Sequence, residues 1–185
     1  MFGRSTFRLA LLLPLLALLA LPGAAASDPE TGARPKEPLW TAERLSKMIA
    51  AYHQAVPGKI RVLDFKIYDR YARMQVQDPA KPENVDQYDY RGRVSEPVPV
   101  KLAGKGSLEA NLFDLDDVAF DRIPALVEEA AAKLPMEGGK LGHILIRRGL
   151  PFTKDVRITL YVNGTRKDGV LKADAKGRVL EVKAH

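Results

Sequence analysis

Histidine, which transfers protons and binds metals near neutral pH, occurs only three times in this chain. His53 falls in a predicted amphipathic helix and His143 falls in a predicted strand, and the third histidine is His185. A zinc site needs ligands that converge, and the sequence has no His-x-x-x-His or histidine–carboxylate spacing. We therefore predict no metal site, and we regard His143 as a pH-sensitive group.

Nucleophilic chemistry has equally little support in the sequence. The chain has no cysteine, which excludes thiol catalysis and disulfide bonds. Ser46 is expected on a helix surface and Ser107 in a glycine-rich linker, and neither lies in a nucleophile-elbow pattern. The segment 104–107 (Gly-Lys-Gly-Ser) lacks the spacing and the strand-to-helix setting of a phosphate loop.

Four aspartates cluster between positions 114 and 121, where they invite a calcium interpretation. An EF-hand loop needs a glycine at its sixth position and a glutamate at its twelfth, and this segment has neither. Carboxylates just before a helix are also stabilised by the helix dipole, which explains the cluster without an ion. We therefore predict that the protein is not an enzyme and has no cofactor.

The first 26 residues have the three parts of a secretory signal peptide. Arg4 and Arg8 precede the apolar run 9–21, and the segment 23–26 supplies small residues for cleavage. The apolar run is shorter than the roughly 20 residues that span a bilayer, so no stable membrane anchor is expected after cleavage. The sequence thus predicts an exported protein, in the periplasm or outside the cell, with a flexible leader at 27–38.

Two helices with the same apolar spacing are predicted, and each is followed by strands. Thr41 and Asp121 are the expected N-caps, and Pro57 and Pro135 end the helices. The two apolar faces consist of Leu45, Met48, Ile49, Tyr52 and Val56, and of Ile123, Leu126, Val127, Ala130 and Leu134. Strand-like segments follow the first helix at 60–68, 71–77 and 85–90, with a fourth that ends at 98–100, and follow the second helix at 141–147, 156–162, 170–175 and 180–182.

This element order predicts an α+β fold with two αββββ repeats and an antiparallel sheet whose helices pack on one face. The first repeat covers 39–101 and the second 114–185, and a linker at 102–113 joins them. In each repeat a Gly-Arg-Val turn, at 92–94 and 177–179, comes before the fourth strand.

The closing turns resemble those of the PepSY-like family, small exported modules with one helix and an antiparallel sheet. The pattern is acidic-small-Lys-Gly-x-Val, which stands here as 174–179 (Asp-Ala-Lys-Gly-Arg-Val) and more loosely as 89–94. A tandem of such units is similar to the arrangement in the β-lactamase inhibitory protein family. The resemblance implies protein binding or inhibition and brings no catalytic residues with it.

The sheet face opposite the helices is the predicted binding surface. Strand alternation brings tyrosines and arginines to this face, a composition that is common in protein interfaces. The candidate binding residues are Tyr68, Tyr71, Arg73, Arg157 and Tyr161. An ordinary polar sheet face explains the same pattern, since tyrosine favours strands. Alanine at Tyr68 or Tyr161 is expected to weaken a partner and to leave stability nearly unchanged.

Two functions remain open from the sequence. The first is a non-enzymatic module that binds or inhibits another envelope or secreted protein. The second is a carrier of a small molecule or lipid, with a cavity between the helices and the sheet. Nucleic acid is not expected as a partner, because the predicted export argues against it and so does the modest net charge of the mature chain, which is +4 once Arg4 and Arg8 are removed from the total of +6.

Overall fold

A computed structural model describes residues 37–103 and 106–185. The predicted signal peptide, 1–26, lies outside the described residues, as does the predicted leader except for Glu37 and Pro38. The described residues belong to one compact unit. Within the described ranges, no helix has both the length and the apolar character needed to cross a membrane.

The first helix, α1, spans Ala42–Ala55 and buries the apolar stripe that its sequence predicts, with Leu45, Met48 and Tyr52 at most 2% exposed. Thr41 occupies the N-cap position, but its side chain makes no capping hydrogen bond, and its buried Oγ1 lacks a partner. The predicted N-cap position is therefore confirmed, but the capping hydrogen bond from the Thr41 side chain is not formed. Gly58 follows the helix with a φ of 74°, a conformation that favours glycine.

The third helix, α3, spans Ile123–Lys133 and again buries its predicted stripe, including Leu126 at 2% exposure. The expected cap at Asp121 is wrong, because a 3₁₀ turn over Phe120–Arg122 runs directly into the helix. Arg122 consequently occupies the N-cap position, and its side chain forms no cap hydrogen bond.

In the part of the chain that the structure describes, nine strands form one sheet and every pairing in it is antiparallel. The strands are β1 (Arg61–Ile67), β2 (Ala72–Gln77), β3 (Val85–Tyr90), β4 (Val98–Pro99), β5 (Phe113–Asp114), β6 (Lys140–Arg148), β7 (Val156–Asn163), β8 (Asp168–Asp174) and β9 (Val179–Ala184). Their order is β4-β3-β2-β1-β6-β7-β8-β9, with β5 paired to the start of β1. The predicted α+β class with an antiparallel sheet is confirmed.

The centre of the sheet is the β1–β6 pair, in which Phe65 lies opposite Ile146. The strands from β1 to β4 run outward on one side of this pair, and those from β6 to β9 run outward on the other. The two sets of four strands, each preceded by a helix, therefore meet along their first strands.

The core lies between the helices and one face of the sheet. Met74 and Leu160 face the helices and have no exposed surface, as strand alternation predicts. The ring of Tyr52 from α1 meets Phe65 edge to face, with a centroid distance of 5.5 Å. Tyr90 also belongs to this core, at 3% exposure.

The segment predicted as a linker, 102–113, contains regular structure in its described part. A short helix, α2 (Leu108–Asn111), is capped by Ser107, whose Oγ accepts from the Ala110 amide at 3.3 Å. Leu112 and Phe113 are buried, and the guanidinium Nε of Arg148 donates to the Leu112 carbonyl at 2.7 Å. One helical turn and a two-residue strand are too short to show apolar periodicity in a sequence.

The fourth strand of the first half is shorter than predicted. It is limited to Val98–Pro99 and pairs with β3, although the sequence suggested a strand that runs to Val100. Pro97 and Pro99 have no amide hydrogen, so this segment cannot form a regular ladder at the sheet edge.

Candidate functional site

The sheet face away from the helices bears a row of stacked rings. We call it the stacked row; its members are Tyr71, Tyr68, His143 and Tyr161. Neighbouring ring centroids are 4.4 Å apart for the two adjacent tyrosines, 5.4 Å for Tyr68 and His143, and 4.5 Å for His143 and Tyr161. The interplanar angles of 13°, 25° and 11° describe nearly parallel rings. The row therefore runs from the β1–β2 turn, where Tyr68 and Tyr71 lie just beyond the strand ends, across β6 to β7.

Strand register creates this row. At the tight β1–β2 turn the Tyr68 amide donates to the Tyr71 carbonyl at 2.8 Å, which sets these two tyrosines side by side. The pairing of Ile67 with Ile144 brings Tyr68 next to His143, which itself lies opposite Tyr161. Neighbouring strands are about 4.8 Å apart, a spacing that suits stacked rings.

A β-bulge in β6 lies directly before His143. The register shifts between Leu141 and His143, so that Gly142 is the extra residue in this strand. A Cβ at Gly142 would lie 2.7 Å from Nδ2 of Asn163, so a larger residue would not fit without displacing that side chain. The bulge lets Leu141 and Ile144 both pack towards the core, while His143 faces outward.

The stacked row presents ring edges to the surroundings. The rings cover one another's faces, and the guanidinium of Arg91 lies over the outer face of Tyr71, 4.5 Å from its centroid. All four rings are partly buried. The row thus offers phenolic hydroxyls and an imidazole edge, which can donate and accept hydrogen bonds.

The imidazole of His143 favours its neutral form. Partial burial lowers the pKa of His143, and the nearby Lys66 ammonium lowers it further, against an opposing effect of Asp64. A neutral imidazole has one donor and one acceptor nitrogen, so at neutral pH this residue can form both kinds of hydrogen bond.

Ion pairs lie beside the stacked row on the same face. Arg73 forms a two-pronged hydrogen bond with Asp89, at 3.0 and 3.3 Å, and the bonded carboxylate raises the pKa of Arg73. Lys66 lies 3.4 Å from Asp64 on β1. These charges are paired within the chain, so they fix neighbouring side chains and also offer a polar border to the row.

The five predicted binding residues are partly brought together. Tyr68, Tyr71 and Tyr161 belong to the stacked row. Arg73 lies on β2, two residues after Tyr71 and opposite Lys66 of β1. Arg157 is four residues from Tyr161 on β7, which separates them by about 13 Å along the strand. Its guanidinium pairs with Asp155 at 3.1 Å.

Sequence reasoning missed two members of this surface. His143 was regarded only as a pH-sensitive group, although outward alternation from Ile144 and Ile146 would have put it beside the tyrosines. Arg91 belongs to the loose closing turn after β3 and gives no pattern of its own in the sequence.

Several recesses lie on the helix side, and one of about 510 Å³ is lined in part by Lys47 and Gln54 of α1 and by Val94. An open, mainly apolar groove of about 460 Å³ separates α1 from the 3₁₀ turn and is lined in part by Leu45, Ile49 and Phe120. A smaller recess of about 170 Å³ lies at the end of α3, beside Leu134. Between α1 and the sheet, side chains such as Met48 are fully buried.

The part of the chain that the structure describes contains no arrangement of side chains suited to a metal ion. Over 37–103 and 106–185, no group of three or more histidine, aspartate or glutamate side chains converges as a metal site would require. His53 lies 3.1 Å from Asp116 at the helix side, as an isolated and largely exposed pair.

Comparison with solved structures finds a likeness in fold. The crystal structure of a protein described as a "putative lipoprotein" from Clostridium difficile 630 matches with a TM-score of 0.52 at 16% sequence identity. The match covers 81% of this chain and 94% of the other. No family model matches the chain, and no curated protein matches it. The likeness supports the α+β fold with a large antiparallel sheet.

Proposed function

We propose that this protein is an exported, non-enzymatic module that binds or inhibits another envelope or secreted protein through its open sheet face. The stacked row is the observation that supports the proposal. It gathers three tyrosines and a neutral histidine on the face that the helices leave uncovered. Tyrosine brings contact area and a hydrogen-bonding hydroxyl at little cost in conformational entropy, and it is enriched where interfaces bind most strongly.

Preorganisation strengthens this interpretation. Each ring in the row is held by its neighbours, so a partner would not need to order four mobile side chains on binding. Arg73 is likewise fixed by Asp89. A rigid polar and aromatic surface of this kind suits a folded partner protein more than it suits a flexible ligand.

The repeat interpretation belongs to the same proposal. We interpret the two halves as PepSY-like αββββ units joined through β1 and β6. Equivalent glycines with positive φ support this: Gly58 and Gly138 follow the two helices, and Gly92 and Gly177 lie in the two closing turns. The halves differ at the turn acid, because Asp174 accepts two backbone amides whereas Asp89 bonds Arg73.

Site-specific photocrosslinking in cells that make the protein tests the proposed surface. A photoreactive phenylalanine analogue at Gln75, which lies on the open face, should form a product with one partner protein. The same analogue at Ala131, exposed on α3, is the matched control and should not form that product. Equal products from both positions, or none from Gln75, would contradict the proposal.

Measuring the affinity of variants for the partner then tests which side chains contribute to binding. With the crosslinked partner purified, Tyr161→Ala should weaken binding at least tenfold, because truncating a tyrosine at a binding hot spot costs about 2 kcal/mol or more. Lys81→Glu, a change in the exposed 78–84 loop, is the control and should bind as the wild type does. Unchanged affinity of a folded Tyr161→Ala variant would exclude the stacked row as the binding site.

A further inference from the structure

The two edges of the sheet differ in their capacity to pair with another strand. At one edge β4 has only two residues and contains Pro99, which blocks a regular ladder. At the other edge β9 has six residues and contains no proline, and among the strands of the described residues it pairs only with β8. The pairing of β9 with β8 shifts register at Leu180, whereas 181–184 pair in continuous register, and an uncovered edge of this kind is a template for a further strand.

The register of β9 shows which backbone groups face the free edge. The amide of His185 donates to the Asp168 carbonyl on β8 at 2.7 Å. Backbone groups of an antiparallel strand alternate between its two sides, so Lys183 and Glu181 also point towards β8. The amide and carbonyl groups of Val182 and Ala184 therefore point away from the sheet.

The side chains of β9 are complementary in charge to those of β9 in a second copy of the protein. If two β9 strands run antiparallel with Val182 opposite Val182 of the second copy, Glu181 lies opposite Lys183 of that copy, and the reverse pair also forms. Opposite charges in directly facing positions stabilise an antiparallel pair. In this register the outward groups of Val182 face each other and can form two hydrogen bonds.

We propose that β9 is a homodimer interface in which two copies pair antiparallel about Val182, and the two sheets join into one. The twofold axis stands perpendicular to the sheet, so both open faces lie on the same side of the dimer. Leu180, 44% exposed at the start of β9, adds apolar surface beside the contact. Two six-residue strands bury less than the roughly 1,600 Å² of a standard interface, so the dimer is weak and concentration-dependent.

Two variants that reverse the charge of Lys183 or of Glu181 test the proposed register of the β9 pair. Sedimentation equilibrium of the wild type up to about 1 mM should show a monomer–dimer equilibrium. Lys183→Glu puts two glutamates opposite each other, and Glu181→Lys puts two lysines opposite each other, so each variant alone should remain monomeric. An equimolar mixture of the two restores both opposite-charge pairs and should associate at least as tightly as the wild type.

The control and the second readout separate this interface from general charge effects. Lys81→Glu makes the same charge change as Lys183→Glu at an exposed loop position, and it should dimerise like the wild type. Hydrogen exchange at high protein concentration should protect the amides of Val182 and Ala184 at least tenfold more than at low concentration. A monomeric wild type, a dimer that survives Lys183→Glu, or a mixture that fails to associate would each overturn the proposal.

Discussion

The stacked row should contribute to stability in proportion to the number of ring contacts that each member makes. Tyr68 stacks on two rings, at 4.4 and 5.4 Å, whereas Tyr161 stacks on one, at 4.5 Å. An aromatic pair contributes about 0.5–1.5 kcal/mol beyond the area that it buries. Tyr68→Ala should therefore lose about 1–3 kcal/mol through its ring contacts, and Tyr161→Ala about 0.5–1.5 kcal/mol. Both values exceed the near-zero loss that the sequence alone suggests.

Urea unfolding of the variants measures these differences. Gln75→Ala, a change on the same face that removes no ring, is the control and should stay within about 0.5 kcal/mol of the wild type. A double-mutant cycle between Tyr68 and His143 should give a coupling of about 0.5–1.5 kcal/mol. The cycle between Tyr68 and Tyr161, which are separated by the imidazole, should give a smaller coupling.

Two results would refute this reasoning about the stacked row. One is a loss for Tyr68→Ala that is no larger than the loss for Tyr161→Ala. The other is a coupling between Tyr68 and His143 that cannot be distinguished from zero. Either would mean that the rings lie beside one another without stabilising the fold.

Three further predictions concern the core, the histidine and the closing turns. Leu126→Ala should destabilise the protein by about 2–5 kcal/mol in urea unfolding, since the leucine is 2% exposed, whereas Glu128→Ala on the exposed side of α3 should have little effect. Burial lowers the pKa of His143, so the unfolded chain binds a proton at this residue more readily than the folded chain does. The free energy of unfolding should therefore fall as the pH drops below about 6.5. His143→Phe should reduce this loss, as measured by urea midpoints from pH 7.5 to 5. Gly92→Ala and Gly177→Ala both force alanine to a positive φ, which costs about 1–2 kcal/mol. Gly177→Ala should destabilise the protein more, because its Cβ would also lie 2.6 Å from the Cβ of Arg122. Equal shifts in melting temperature would contradict this.

Apolar periodicity was sufficient to predict most of the helices and strands. Leu45 and Met48 of α1 recur at helical spacing, and Met74 and Val76 of β2 alternate, because one face of each element must be buried. Such patterns depend only on local burial, so they survive in the sequence without knowledge of the tertiary structure. The bounds of β3, at 85–90, follow directly from this reasoning.

Features that depend on contacts between distant segments could not be predicted in this way. Leu112 and Phe113 are buried because β5 pairs with β1 and because Arg148 bonds the Leu112 carbonyl, and neither contact leaves a local pattern. The absence of a capping bond at Thr41 is equally invisible in a sequence that has a favourable cap residue. Register and chain reversal, rather than propensity, decide these positions.

The candidate site depends on the central strand pair more than on either half of the chain. Tyr71 and Tyr68 come from the first half, and His143 and Tyr161 come from the second. Only the β1–β6 pairing, with Ile67 opposite Ile144, brings the two sets within stacking distance. One half alone would present two rings and an unpaired β1 or β6 edge. The stacked row is consequently a property of the joined sheet. A change that shifts the β1–β6 register should remove the proposed binding surface even where each half keeps its own fold.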